Sequence, residues 1–163
     1  MAPTTPIPSR PYDSRQIANV FIRLARSKQG KGPSITQVIK LAYMAHGWTL
    51  ALHDHALVND RVEAWKYGPV IPTVYYAFRP FGTSDLQPIE IYEDTLSDEK
   101  ESLVRRTYEV YGHLSPIQWR NLTHAKNGPW EKTYRHGHTM QIPDSLIKDH
   151  FRSKQRRARA ARA

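Results

Sequence analysis

The histidines are the first residues of this 163-residue chain whose type and spacing suggest chemistry. Four of the eight form two H-x-H pairs, His53 with His55 and His136 with His138. A metal site requires three or four converging ligands, each oriented by a group behind it. Neither pair has a carboxylate at a helical spacing, and both lie in segments with the composition of turns. We therefore expect two exposed turns, and no bound metal or other cofactor.

Nucleophilic catalysis finds equally little support. The chain has no cysteine, which removes cysteine nucleophiles, disulfides and thiolate zinc sites. Its serines and threonines fall at helix starts and turns, and none lies in a G-x-S-x-G elbow. The phosphate-binding glycine motifs are also missing from the sequence. Because nucleophile, base and orienting group cannot be assembled from any spacing, we expect a protein that is not an enzyme.

The net charge of +9 resembles a nucleic-acid signal, but most of it lies at the C-terminus. The chain up to residue 150 is only mildly basic. We expect residues 152–163 to be a solvated helix extension; the alternative is a phosphate-binding arm that makes the protein a DNA-binding regulator. The second helix is too apolar on all sides to read bases, which argues against a helix-turn-helix. The basic residues of the tail are Arg152, Lys154, Arg156, Arg157, Arg159 and Arg162.

Helical periodicity dominates the elements that must position these groups. Asp13 and Ser34 have capping spacings, and Ile35 to Leu52 is apolar around nearly its whole circumference, which predicts a central helix. Further helices are predicted at residues 72–79, 98–112, 115–122 and 143–151. Short strands are predicted at residues 61–67, ended by Gly68-Pro69, and at residues 89–92. The prediction is a mainly α, single compact multi-helix domain with a small β hairpin.

Three segments follow from this organisation. Residues 1–12 are proline-rich and are predicted to form a disordered arm, residues 13–151 form the helical domain, and residues 152–163 form the basic tail. No run of 18 apolar residues is present, so we predict no membrane segment. The N-terminus lacks the charge and apolar order of a signal peptide. Together with the missing cysteines, these features favour a cytoplasmic protein.

Aromatic residues are concentrated in the stretch EAWKYGPVIPTVYYAF, from Glu63 to Phe78. If one face of the first strand packs on the central helix, the other leaves Trp65 and Tyr67 partly open. The Gly-Pro pair sets the angle at which Trp65 meets Tyr75. Because tryptophan and tyrosine carry much of the binding energy of interfaces, this stretch indicates a protein-binding patch. The alternative is that Trp65 is a core anchor.

Four ordered motifs resemble the Panacea-domain family, which includes SocA-like and GepA-like antitoxins of bacteria, phages and mobile elements. They are KLAYMAHGW (Lys40 to Trp48), EAWKYGPV (Glu63 to Val70), VYYAFRPFG (Val74 to Gly82) and THAKNGPW (Thr123 to Trp130). The resemblance spans roughly residues 13–151. It implies a mainly helical antitoxin that neutralises a cognate toxin by binding it, with presentation of the toxin to an AAA+ protease as a second mode.

The resemblance also implies which residues matter. Those assigned to maintaining the fold are Lys40, Tyr43, Trp48, Glu63, Gly68 and Pro69. Those assigned to partner binding are Trp65, Tyr67, His124 and Trp130, and the aromatic stretch described above adds Tyr75. For His124 we favour a structural role, bonding the last carbonyls of its own helix, over direct contact with the partner. The alternatives to an antitoxin are a DNA-binding regulator that uses the tail and a phage accessory protein with no toxin partner.

Overall fold

Seven α-helices and three short strands make up the regular structure of residues 10–92 and 95–162, the part of the chain that this computed structural model describes. The helices are α1 (Ser14–Gln29), α2 (Ile35–His53), α3 (Pro72–Phe78), α4 (Asp98–Tyr111), α5 (Pro116–Thr123), α6 (Pro129–Thr133) and α7 (Asp144–Arg162). A 3-10 turn, Arg79–Phe81, follows α3. The strands are β1 (Glu63–Trp65), β2 (Gly68–Val70) and β3 (Met140–Gln141). The prediction of a single, mainly α domain is confirmed.

Helix α2 is the centre of the domain, as its all-round apolar sequence predicts. Its N-terminus has the predicted capping box, in which the Gln37 N–H donates to Ser34 Oγ at 3.2 Å and the Ser34 N–H donates to Gln37 Oε1 at 2.9 Å. Most of its 19 residues are buried, because α1, α4 and α7 pack around it. The helix ends at His53, one residue beyond the predicted end.

Helix α7 packs directly on the backbone of α2 at Gly47. A Cβ atom at this position would lie 2.3 Å from the ring of Phe151, so only glycine lets the ring approach this closely. The Phe151 ring is buried edge-on against Tyr43, with centroids 5.9 Å apart, and against Trp48, at 5.2 Å. The contact between these two helices therefore depends on one small and one large residue.

Polar contacts hold α7 along the C-terminal half of α2. The buried ring of His46 lies with Nε2 2.9 Å from Asp144 Oδ1, at the start of α7. At the other end, Asp54 accepts hydrogen bonds from Lys148 Nζ at 3.0 Å and from an Arg152 guanidinium nitrogen at 3.3 Å. The Lys148 ammonium lowers the pKa of the Asp54 carboxyl. These cations also lie where the negative end of the α2 dipole favours them.

The strands form one antiparallel sheet with the order β2-β1-β3, so β2 and β3 are its edges. The β1–β2 register pairs Glu63 with Val70, Ala64 with Pro69 and Trp65 with Gly68. Lys66 and Tyr67 are thus the two residues of the turn. The predicted hairpin is confirmed, but β1 ends at Trp65 and not at Tyr67, and Gly68-Pro69, which was predicted to break the strand, lies in β2. Gly68 has a φ of +132°, which residues with a Cβ rarely adopt.

Two local predictions, the strand at residues 89–92 and the helix cap at Asp98, are wrong. In each case a different side chain makes the hydrogen bonds that the prediction had assigned elsewhere. No strand forms at residues 89–92: Asn19 of α1 accepts from the Ile89 N–H and donates to the Ile89 carbonyl, both at 2.9 Å. These bonds replace a strand partner. Ser97, and not Asp98, caps α4, since the Ser97 hydroxyl accepts from the Lys100 N–H at 3.3 Å.

The two chain ends compare differently with the predicted segments. Residues 1–9 of the predicted arm lie outside the described residues, but its last residue, Tyr12, pairs with Val58. At the other end α7 runs on from Phe151 to Arg162, so residues 152–162 form a helix extension, which is the structure expected for the tail. The sequence also did not predict the short helix α6, which follows Gly128 and begins at a proline.

The charge state of His150 is expected to make stability depend on pH. Burial, followed by repulsion from Lys154, Arg157 and Lys132, lowers the pKa of His150 to about 4 from 6.5. The unfolded chain therefore binds more protons between these values, so the free energy of unfolding should rise as pH increases from about 4 to 6.5. Since the ring keeps some solvent contact, we expect a contribution of about 1 kcal/mol.

Urea denaturation of the parent chain and of His150→Gln, at several pH values across this window, measures that contribution. The pKa of His53 is also lowered, chiefly by burial, so it contributes in the same direction. The difference between the two chains isolates His150. An identical pH dependence in both chains would contradict the prediction.

Candidate partner-binding surface

The hairpin turn is held from behind by the segment that joins α5 to α6. Trp130 Nε1–H donates to the Trp65 carbonyl at 2.7 Å, and His124 Nε2 lies 3.0 Å from the Tyr67 carbonyl, to which it must donate. The rings of His124 and Trp130 lie against each other, with centroids 3.9 Å apart. A Cβ at Gly68 would lie 3.2 Å from His124 Nε2, so glycine keeps this approach open. Two rings thus fix both ends of the turn.

Local signals in the sequence place these two rings. Ser115 and Gln118 form the capping box of α5, and His124 is the residue that ends this helix. The Asn127 backbone has a φ of +62°, and its N–H donates to Glu131 Oε1 at 3.0 Å. This turn leads into α6, which begins with a proline at its first position and carries Trp130 as its second residue.

The hairpin turn and α3 together present an exposed group of rings, which we name the aromatic hairpin surface. Its members are Trp65, Lys66, Tyr67, Tyr75 and Tyr76. Trp65 lies edge-on to Tyr75 at 5.2 Å and to Tyr76 at 6.2 Å. Tyr67 and Tyr76 are 78% and 65% exposed, whereas the other two rings are half-buried. Large rings that are both exposed and rigidly supported are typical of protein interfaces.

Cations border these rings. Lys66 Nζ lies 5.3 Å from the centroid of the Tyr67 ring, and the Arg79 guanidinium lies 5.4 Å from the centroid of the Tyr75 ring. Such contacts are worth about 0.5–1 kcal/mol at exposed sites. The surface therefore combines apolar area with positive charge at its edge.

The structure separates the five predicted partner-binding residues into two kinds. Trp65, Tyr67 and Tyr75 lie in the aromatic hairpin surface. His124 and Trp130 are half-buried and bond the turn from inside. The expectation that His124 bonds carbonyls of its own helix is wrong, because its ring reaches the hairpin, which lies far away in sequence. The sequence analysis did not single out Tyr76. Its position next to Tyr75 on a short helix, on the side away from the core residues Val74 and Phe78, could have indicated that it is exposed.

The six residues assigned to the fold are all buried or half-buried. Burial lowers the pKa of Lys40 and raises that of Tyr43. Trp48 Nε1–H donates to the Tyr111 hydroxyl at 3.0 Å, and Glu63 lies 3.6 Å from Arg61 Nε. Gly68 and Pro69 form the edge strand described above.

The histidines do not converge. His46 is engaged by Asp144, and His53 Nδ1 lies 2.9 Å from Glu99 Oε1, with its ring stacked at 5.9 Å on that of His55. His138 pairs with Arg135 in a separate turn. Within residues 10–92 and 95–162, no group of three or more histidine or acidic side chains is placed to hold a metal ion.

The basic tail is divided between the domain and the solvent. Arg152 bonds the Ala51 carbonyl and Asp54, and burial is the main cause of the lowered pKa of Lys154. The remaining four tail residues are exposed on the last turns of α7. They are Arg156, Arg157, Arg159 and Arg162.

Trp130→Phe is expected to lower the free energy of unfolding by about 1–3 kcal/mol, because the Trp65 carbonyl loses its donor. Chemical denaturation measures this change. Tyr134→Phe is the matched control: its ring stacks on Trp130 at 4.8 Å and is retained, so a change within about 0.5 kcal/mol is expected. Equal stabilities of the parent and Trp130→Phe would show that the bond contributes nothing.

Comparisons with known proteins bear on the use of this surface. The sequence model of the family described as "Antitoxin SocA-like, Panacea domain" matches residues 38–131, from α2 through the hairpin to Trp130. Antitoxin SocA of Caulobacter vibrioides (strain NA1000 / CB15N) is 31% identical over 168 residues, which cover 93% of this chain and 88% of SocA. No solved structure matches the chain. Among the described helices, none is both long and apolar enough to cross a membrane.

Proposed function

Because the chain belongs to the SocA-like antitoxin family with a Panacea domain, we propose that it neutralises a cognate toxin by direct protein–protein contact through the aromatic hairpin surface. We propose further that it acts in the cytoplasm and without catalysis. The supporting observation is the exposure of Tyr76 on α3 and of Tyr67 on a turn that is held by hydrogen bonds from Trp130 and His124 to the carbonyls of Trp65 and Tyr67. A turn held in this way does not need to be ordered when the partner binds, so less conformational entropy is lost.

The family model matches residues 38–131, a range that contains both the aromatic hairpin surface and the two rings that support it, His124 and Trp130. In this proposal His124 and Trp130 are positioning residues, and Trp65, Tyr67, Tyr75 and Tyr76 contact the toxin. Aromatic side chains suit this role because they bury a large area with few rotatable bonds.

Growth rescue tests the proposal. The reading frame next to this gene is expressed alone and together with the full chain. The expected result is growth inhibition by the first and recovery with the second, accompanied by a stable complex of the two purified proteins. Recovery without any complex, or no recovery at all, would contradict neutralisation by contact.

The same experiment separates blocking from assisted proteolysis. If the antitoxin blocks its partner, the cellular amount of toxin stays constant or rises during rescue. If it presents the toxin to an AAA+ protease, the half-life of the toxin falls and recovers when the protease is deleted. We propose blocking as the primary mode, because a rigid aromatic surface is sufficient for it.

A further inference from the structure

A groove runs between α4 and the C-terminal half of α7, and its floor is formed by the end of α2 together with apolar side chains of α4. Its volume is about 750 Å³, within the range of about 300–1,000 Å³ typical of binding pockets. Its lining extends along α4 from Glu99 to Tyr111, which corresponds to about 18 Å, or a little over three helical turns. None of the lining residues belongs to the aromatic hairpin surface.

The floor of the groove is apolar and uncovered. Leu52 and Val110 are each 49% exposed, and Trp48 and Leu103 beside them are half-buried. Leu52 belongs by its spacing to the apolar stripe of α2, yet no element of the described chain covers it. Four large apolar side chains that share one concave surface are typical of an interaction site.

The walls of the groove are positively charged. Arg159 and Arg162 line it from α7, and Arg106 lines it from α4. Among the described lining residues Glu99 is the one carboxylate, and it is engaged by His53 at 2.9 Å. Ala158 of α7 also lines the groove, and its small side chain leaves room for another backbone to approach.

We propose that this groove binds an amphipathic helix with acidic flanks, carried by the toxin of the proposed function, on which this inference rests. A helix of three to four turns matches the length of the groove, its apolar face matches the floor, and its acidic flanks match the arginines on both walls. A second copy of this chain matches less well, because the exposed part of α7 has the same sign of charge as the groove. Duplex DNA would satisfy the arginines but not the apolar floor.

Binding of a model peptide to the full chain tests the groove without knowledge of the toxin. The probe is a fluorescent leucine–glutamate amphipathic helix of roughly 18 residues, about five turns. Its partner probe has the same leucines with lysine in place of glutamate. In anisotropy titrations we expect the acidic peptide to bind and the basic peptide to bind at least about tenfold more weakly.

Matched charge reversals locate the binding. Arg159→Glu with Arg162→Glu should weaken the acidic peptide at least about tenfold, because both side chains line the groove. Arg156→Glu with Arg157→Glu changes the net charge equally on the same helix but outside the lining, so its effect should stay within about threefold at 0.15 M salt. Leu52→Asp should also abolish binding by placing a charge on the floor. Circular dichroism checks that each variant remains folded.

Several results would overturn the proposal. The first is that the acidic peptide does not bind, and the second is that both charge-reversal pairs reduce its affinity equally. The third is that the chain forms a dimer which Arg159→Glu with Arg162→Glu dissociates. The fourth is that duplex DNA binds in the groove and displaces the peptide. If the unmodified chain rescues growth and the groove variants rescue it equally well, the groove is not a toxin site, although the proposed function stands. If the unmodified chain fails to rescue growth, the proposed function fails, and the peptide titration alone decides the groove.

Discussion

Phe151→Ala should lower the free energy of unfolding by about 3–5 kcal/mol, measured by urea denaturation. The ring is 1% exposed and lies between Tyr43, Trp48 and the bare backbone at Gly47. Its removal leaves a cavity between the two helices, and the neighbouring backbone is helical and cannot collapse to fill it. Because small domains are stabilised by only about 5–15 kcal/mol, this variant should be close to unfolding at 37 °C.

A double-mutant cycle makes this prediction sharper. Gly47→Ala alone should destabilise the domain by roughly 1–3 kcal/mol, since its Cβ would lie 2.3 Å from the Phe151 ring. In the Phe151→Ala background the clash disappears, and the better helix propensity of alanine should stabilise the chain by up to about 1 kcal/mol. The effect of Gly47→Ala therefore changes sign. Additive effects of the two substitutions would show that the ring does not pack on this glycine.

Replacement of Tyr67 and Tyr76 together by alanine should weaken toxin binding by at least about 2 kcal/mol, or roughly 30-fold in Kd. Both side chains are mostly exposed, so the stability of the free protein should change by no more than about 0.5 kcal/mol for each. Isothermal titration calorimetry with the co-purified partner measures the affinity, and thermal unfolding measures the stability.

Tyr92→Ala is the matched control for this pair. Tyr92 is 91% exposed and belongs to the loop before α4, where it lines a surface pocket with Arg23 of α1 and is not part of the hairpin or α3. Its replacement should leave the affinity unchanged. If all three tyrosines contribute equally, or if the hairpin pair contributes nothing, the aromatic hairpin surface is not the main contact.

The elements that could be predicted from the sequence are those whose signals are local. The capping box at Ser34 and the all-round apolar composition of residues 35–52 define α2 without reference to any other element. The period-2 pattern around Trp65 was sufficient for β1. The same pattern could not place the turn. A Gly-Pro pair is typical of a strand end, but here Gly68 and Pro69 pair with Trp65 and Ala64, and the turn is Lys66-Tyr67.

Contacts between segments distant in sequence could not be predicted. The motif THAKNGPW marks His124 and Trp130 as important, but the pattern contains no information that these rings bond the carbonyls of Tyr67 and Trp65. Likewise, Asn19 replaces a strand partner for Ile89 only because the fold brings them together. The groove has no local signal at all, since its floor and walls come from three helices.

The length of α7 shows how a tertiary contact supports a weak local preference. Beyond Phe151 the sequence has no apolar stripe and many like charges, so it predicts only a solvated extension of the helix. Arg152, however, bonds both Ala51 and Asp54, so the helix passes this point already anchored. Alanine and arginine are strong helix formers, and they continue it to Arg162.

Pro69 affects whether the edge of the sheet can pair with a strand of another chain. It lies in β2, at one edge of the sheet, where an exposed row of backbone donors and acceptors would otherwise invite another strand. Proline has no N–H, so an intruding chain finds a gap in the ladder it must form. Gly68 and Pro69 are also buried, so the missing N–H and the burial of the backbone both leave this edge unsuited to strand addition.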